Sequence, residues 1–78
     1  MDRNAIFDKV KEYILMQLPV DASKVTDDAR IKEDLGADSL DVLQLLMTIE
    51  EEHGIVIPDE SLAEFVTVQD IVDYLESL

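Results

Sequence analysis

The sequence predicts an all-α fold: a small bundle of three main helices plus one short helix, with a long loop between the first two helices. Three observations carry this expectation. Apolar residues recur at helical spacing in separate stretches, as Ile6, Val10, Ile14 and Leu18 do. Helix-start signals, Asp38 with Asp41 and Thr67 with Asp70, stand ahead of two such stretches. No run alternates apolar and polar residues for long enough to make a strand; Ile55-Val56-Ile57 comes nearest and is too short to anchor a sheet.

The first helix collects Ile6, Val10, Ile14 and Leu18, with Phe7 and Tyr13 close to the same face. It runs about four turns before Pro19, which cannot continue it. Positions 19–38 have no clear period. Pro19, Asp21, Ser23, Thr26 and the Asp27-Asp28 pair make them a long loop, held to the core by Val25, Ile31 and Leu35.

The second helix begins at Ser39. Asp38 can accept backbone N–H groups as its cap, Asp41 three residues on completes a capping box, and Gly54 supplies a left-handed stop. Ile55-Val56-Ile57 is then expected to dive into the core. A short turn follows Pro58, with Asp59 and Glu60 near its positive end. Thr67 and Asp70 cap the last helix, whose expected buried stripe is Ile71, Val72, Leu75 and Leu78.

Length and composition bound the function. The 78 residues make one domain, 1–78, which buries only about 60% of the surface its unfolded chain exposes. That leaves little room for a large enclosed active site. The absence of cysteine removes disulfides and thiolate metal sites and suits a reducing compartment, so the cytoplasm is the expectation. No stretch has the pattern of a signal peptide or the roughly 20 apolar residues of a membrane span, so a soluble protein without stable membrane insertion is expected. Nearly half the residues are apolar, too many for a disordered acidic tail.

Charge is unevenly placed. All six basic residues fall within the first 32 positions, where six acids balance them. The remaining 13 acids lie between Glu33 and Glu76 with no Lys or Arg among them, so that region carries the whole net charge of −13. Such a field repels nucleic acid and anionic membranes and attracts partners with basic patches. Mutual repulsion among these carboxylates also predicts that added salt or millimolar divalent cations raise the melting temperature. A melting temperature unchanged across that titration contradicts it.

The second helix has two apolar faces. At about 100° per residue, Val42, Leu45, Leu46, Ile49 and His53 share one side, and Leu40, Leu43 and Met47 share nearly the opposite one. One face serves the core. The other is either buried in a crowded bundle or is a docking strip; its acidic border of Glu50, Glu51 and Glu52 favours docking.

Ser39 is the candidate chemical handle. A hydrolytic serine needs a base, an orienting acid and oxyanion donors. The single histidine, His53, lies about 21 Å away along the same helix, and no Gly-x-Ser-x-Gly elbow surrounds Ser39. No catalytic residue is therefore expected, and His53 is assigned a structural place at a helix C-terminus. No metal site is expected either, since the glutamate run points around the helix rather than toward one point.

Gly36-Ala37-Asp38-Ser39-Leu40-Asp41, followed by Leu45-Leu46-Met47, Glu50-Glu51-Glu52, Ile57-Pro58-Asp59-Glu60 and Thr67-Val68-Gln69-Asp70, resembles the acyl carrier proteins of dissociated (type II) fatty acid synthesis. The similarity covers nearly the whole chain in order and spacing. It implies that Ser39 is joined through a phosphodiester to 4′-phosphopantetheine, taken from coenzyme A by a separate phosphopantetheinyl transferase. The thiol of that arm carries acyl chains as thioesters, and the protein shuttles them, as a monomer, between fatty acid synthesis enzymes.

On this resemblance Asp38, Asp41, Glu50 and Glu51 steer the helix onto basic patches of partner enzymes, and Leu40, Leu43 and Met47 supply the apolar centre of contact. The implied shelter for the acyl chain is lined by Val42, Leu45, Leu46, Ile49, Ile57, Leu62, Ile71 and Leu75. Gln44 stands on the same surface where many members carry an acid, and His53-Gly54 replaces a frequent aromatic-acidic pair. Those departures leave open a specialised carrier serving polyketide, lipid A, cofactor or D-alanine chemistry. An unmodified acidic interaction module, with Ser39 as a plain helix-start residue, is the alternative outside the resemblance.

Overall fold

The computed structural model describes residues 2–78 and contains, among them, three α-helices and two 3-10 turns, with no strand. The helices are α1 (Arg3–Gln17), α2 (Ser39–His53) and α3 (Val68–Glu76). Helix α1 packs against both others and forms the centre of the bundle. Its buried face is Ile6, Val10, Tyr13 and Ile14, continued by Leu18 just past its end, as the every-fourth-residue spacing predicts.

Each α-helix is started by an oxygen-bearing side chain. Asp2 accepts from the Ala5 N–H at 2.8 Å. On α2, Asp38 accepts from the Asp41 N–H at 2.9 Å and Asp41 accepts from the Asp38 N–H at 3.2 Å, so both halves of the capping box form. On α3, Thr67 and Asp70 repeat the exchange, and Asp70 also accepts from the Val66 N–H. Gly54 ends α2 at φ +64°, the left-handed region that costs glycine least.

The loop between α1 and α2 is more ordered than its sequence suggests. It holds a 3-10 turn at Ala22–Lys24 and buries Val25, Ala29, Ile31, Leu35 and Ala37. Its later part is zipped to the segment entering α3. Ile31 N–H donates to Val66 C=O, Val68 N–H to Ala29 C=O and Gln69 N–H to Asp27 C=O, around an antiparallel bridge between Arg30 and Thr67.

Two expectations change, and the short turn expected after Pro58 is present. Only Ile57 of Ile55-Val56-Ile57 is fully buried; Ile55 is half-buried and Val56 lies 82% exposed, because this extended segment has one face toward the core and one toward water. The stripe of α3 is displaced toward its start. Val68, Ile71 and Val72 are buried, Leu75 is half-buried, and Leu78 is exposed because the helix stops at Glu76. The short element after Pro58 is a 3-10 turn, Asp59–Glu64; the expected position of the Asp59 carboxylate lies outside the described residues.

Polar contacts join the helices at their margins. Arg3 pairs with Asp73 at 2.6 Å and Glu76 at 3.5 Å, and the Gln17 amide donates to Thr48 Oγ1 at 2.7 Å. His53 has the structural place expected of it. Its Nε2 lies 3.3 Å from the Tyr13 hydroxyl, with the two rings edge to face.

The Tyr13 phenol is pushed above its ordinary value, first by burial and then by the charges of Glu52 and Glu12. A folded value above the unfolded one, near 10, means that its stabilising contribution is complete below about pH 10 and is lost as pH rises through the folded value. Tyr13→Phe is therefore expected to flatten the fall in melting temperature above about pH 10. An equally steep fall in the variant contradicts it.

Candidate functional site

The approach to Ser39 is set by a tight turn. Leu35 and Ala37 are both buried and anchor the chain on either side of Gly36, whose φ of +73° reverses its direction between them. The Ala37 N–H donates to Ile31 C=O, and the Leu35 and Asp34 N–H groups both donate to Arg30 C=O. Asp38 is thereby delivered as the cap of α2, and Ser39 becomes its first residue. The Ser39 side chain is exposed, and its Oγ accepts a hydrogen bond from Lys32 Nζ at 3.3 Å.

Ser39 stands at the mouth of a cavity of about 490 Å³. Val42, Leu43 and Leu46 of α2 form one wall; Leu62 and Ala63 of the 3-10 turn and Phe65 and Val66 beyond it form the other. Arg30, Lys32 and Glu33 complete the rim. Phe65 is held edge-on by Tyr74 of α3, which fixes the far wall to the bundle.

The lining differs from the sequence expectation. Of the expected residues, Val42, Leu46 and Leu62 line this cavity. Leu45, Ile49, Ile57 and Ile71 belong to the closed core, and Leu75 faces a smaller hollow with Ile6, His53 and Ile55. The reason is geometric. Space opens on the flank of α2 that faces the 3-10 turn, whereas α1 fills its other flank.

The outer side of α2 presents Leu40, Leu43 and Met47 at 59%, 40% and 49% exposure, with Gln44 and Glu51 exposed beside them. The acids there are not equivalent. Asp38 and Asp41 are engaged in the capping box at its start. Glu50 is half-buried and its Oε2 accepts from the Ile57 N–H at 2.7 Å, bracing the chain after α2. Glu51 and Glu52 remain exposed.

Two cations missed as site residues in the sequence sit at the rim. Arg30 pairs with Glu33 at 2.6 Å and with Asp34 at 3.4 Å. The Arg30 backbone N–H, and then its guanidinium, hold the Asp34 carboxyl below the usual carboxylate range. Lys32 donates to Ser39 and cannot remove its proton. The one sequence signal for either residue was position, since they are the last two basic residues before the acidic region.

This arrangement offers an exposed hydroxyl on a rigid helix start, an apolar recess beside it and an apolar strip behind it. His53 lies at the opposite end of α2. Among the described residues no cluster of three His, Cys, Asp or Glu could hold a metal ion, and no helix is long and apolar enough to cross a membrane. A family model described as "Phosphopantetheine attachment site" matches residues 8–75.

Proposed function

Because the chain belongs to the phosphopantetheine-attachment family, which makes it a carrier domain with covalent 4′-phosphopantetheine as its cofactor, we propose that Ser39 is the attachment point and acyl chains are the cargo. The observation that carries this reading is the exposed Ser39 hydroxyl at the mouth of an apolar cavity. The fit is chemical as well as spatial. The chain has no cysteine, and the arm supplies a thiol on which an acyl group is carried.

In the attachment step Ser39 Oγ forms a bond to the phosphorus nearest the pantetheine of coenzyme A. The pyrophosphate P–O bond breaks, the nucleotide half leaves, and a base on the phosphopantetheinyl transferase receives the serine proton. Nothing in this scheme needs a base on the carrier itself. Residues 1–78 then form a single non-catalytic carrier domain working as a cytoplasmic monomer.

The finer reading is a carrier of growing chains in dissociated fatty acid synthesis. Leu40, Leu43, Gln44 and Met47 form its docking face, with Glu51 and the cap acids Asp38 and Asp41 steering it onto basic patches. Glu50 joins that field more weakly, since its carboxylate is engaged by the Ile57 N–H. Gln44, neutral and exposed within the apolar strip, favours a second reading, a specialised carrier for polyketide, lipid A, cofactor or D-alanine chemistry.

Intact mass after incubation with coenzyme A and a broad-specificity transferase tests the attachment, and peptide mapping tests its position. A gain of one phosphopantetheine on Ser39 is expected; no gain overturns the reading. Adding the modified protein to purified fatty acid synthesis enzymes then separates the two cargo readings. Chain elongation supports the first, and its absence favours the specialised carrier.

A further inference from the structure

We propose that Lys32 pairs with the phosphodiester that joins Ser39 to its arm, so that the arm leaves the helix leaning over the cavity. This rests on Ser39 being the attachment point. Lys32 Nζ already lies 3.3 Å from Ser39 Oγ. That oxygen becomes a bridging atom of the diester, and the unbridged, negatively charged oxygens lie two bonds beyond it, on the phosphorus. An ammonium within hydrogen-bond distance of the ester oxygen needs only a rotamer adjustment to reach them.

Lys32 is uncommitted. Among the described residues its one hydrogen bond is to Ser39 and it makes no ion pair, whereas Arg30, two residues earlier, is held by Glu33 and Asp34. The electrostatic need is local. Ser39 sits between Asp38 and Asp41 in the part of the chain that carries the net charge of −13, and beyond Lys32 the sequence has no further Lys or Arg. A phosphodiester placed there lies among carboxylates, and Lys32 is the cation already within hydrogen-bond distance of Ser39.

The backbone under Lys32 is fixed before any arm is attached. Ile31 is buried and donates to Val66 C=O, and Leu35 is buried four residues on. Lys32 and Ser39 line the same cavity rim. An anion held between them therefore directs the next atoms of the arm toward Leu62, Phe65 and Val66 and away from the outer strip of Leu40 and Met47.

The absence of cysteine makes the test direct, since the arm carries the single thiol of the modified protein. The full-length chain is modified, its mass gain verified, and the thiol labelled with a nitroxide maleimide. Paramagnetic broadening is then compared between the amides of Leu62, Phe65 and Val66 and those of Gln44 and Glu51. Broadening on the cavity side is expected to exceed that on the outer side by about two- to fivefold, and the contrast is expected to collapse in Lys32→Met or at about 0.5 M salt.

Lys32→Arg is expected to keep the contrast. An unchanged contrast in Lys32→Met, or one insensitive to salt, overturns the pairing while the mass gain leaves the carrier reading standing. Lack of a mass gain in the wild type overturns both. Lys32 is exposed, so the apo spectra of both variants are expected to superimpose on the wild type outside the rim.

Discussion

Ser39→Ala is expected to abolish attachment of phosphopantetheine completely while leaving the fold intact. The chain has three other serines, Ser23, Ser61 and Ser77, and none shares the setting of Ser39. Ser77 spends its hydroxyl on the Tyr74 carbonyl at 2.7 Å, Ser61 is half-buried in the 3-10 turn, and Ser23 lies in the turn that follows α1. Ser39 is the one at the start of a long helix and on the rim of the cavity. The variant removes one exposed hydrogen bond to Lys32 and no cap, since Asp38 holds that position, so its stability should stay within about 0.5 kcal/mol of wild type. Intact mass and a melting curve check both halves. A residual mass gain would move the attachment point elsewhere, and a collapsed melting curve would make Ser39 a structural residue.

The largest stability effect is expected from Ile49→Ala. Ile49 is wholly buried between α2 and the rest of the core, and removing its outer carbons should cost about 2–5 kcal/mol. A domain of this size has about 4–12 kcal/mol in total at 0.05–0.15 kcal/mol per residue. The melting temperature should therefore fall by roughly 12–30 °C. Met47→Ala, two residues away but 49% exposed on the opposite face, should change stability by no more than about 0.5 kcal/mol. Its expected loss is in partner binding, read as a raised KM of an acyl-transferring enzyme for the carrier. Equal melting temperatures for the two variants would contradict the assignment of faces on α2.

These two residues also show what was legible in the sequence. The faces of α2 follow from a fixed 100° step, and the capping boxes at Asp38–Asp41 and Thr67–Asp70 are complete within four residues, so local spacing was enough for both. The pairing of residues 27–31 with 66–69 was not legible. It depends on backbone groups distant in sequence, and backbone hydrogen bonds leave no mark on residue type. The inward turn of Glu50 toward the Ile57 N–H was hidden for the same reason. Ser39 stood out from its neighbours in the chain, whereas Lys32 became part of the site only when the turn at Gly36 brought the two side chains together.

The cavity owes its shape to elements of unequal firmness. Its inner wall is α2, a 15-residue α-helix closed by a capping box at its start, and its outer wall includes Asp59–Glu64, a 3-10 turn whose start lacks a side-chain cap. Helices α1 and α3 meet elsewhere. The α1–α2 and α1–α3 contacts do not involve Asp59–Glu64, whereas Phe65 just beyond that turn is tied to the bundle by Tyr74. A cargo too long for the recess is therefore expected to be admitted by local opening of that turn, at a free energy below that of unfolding the core.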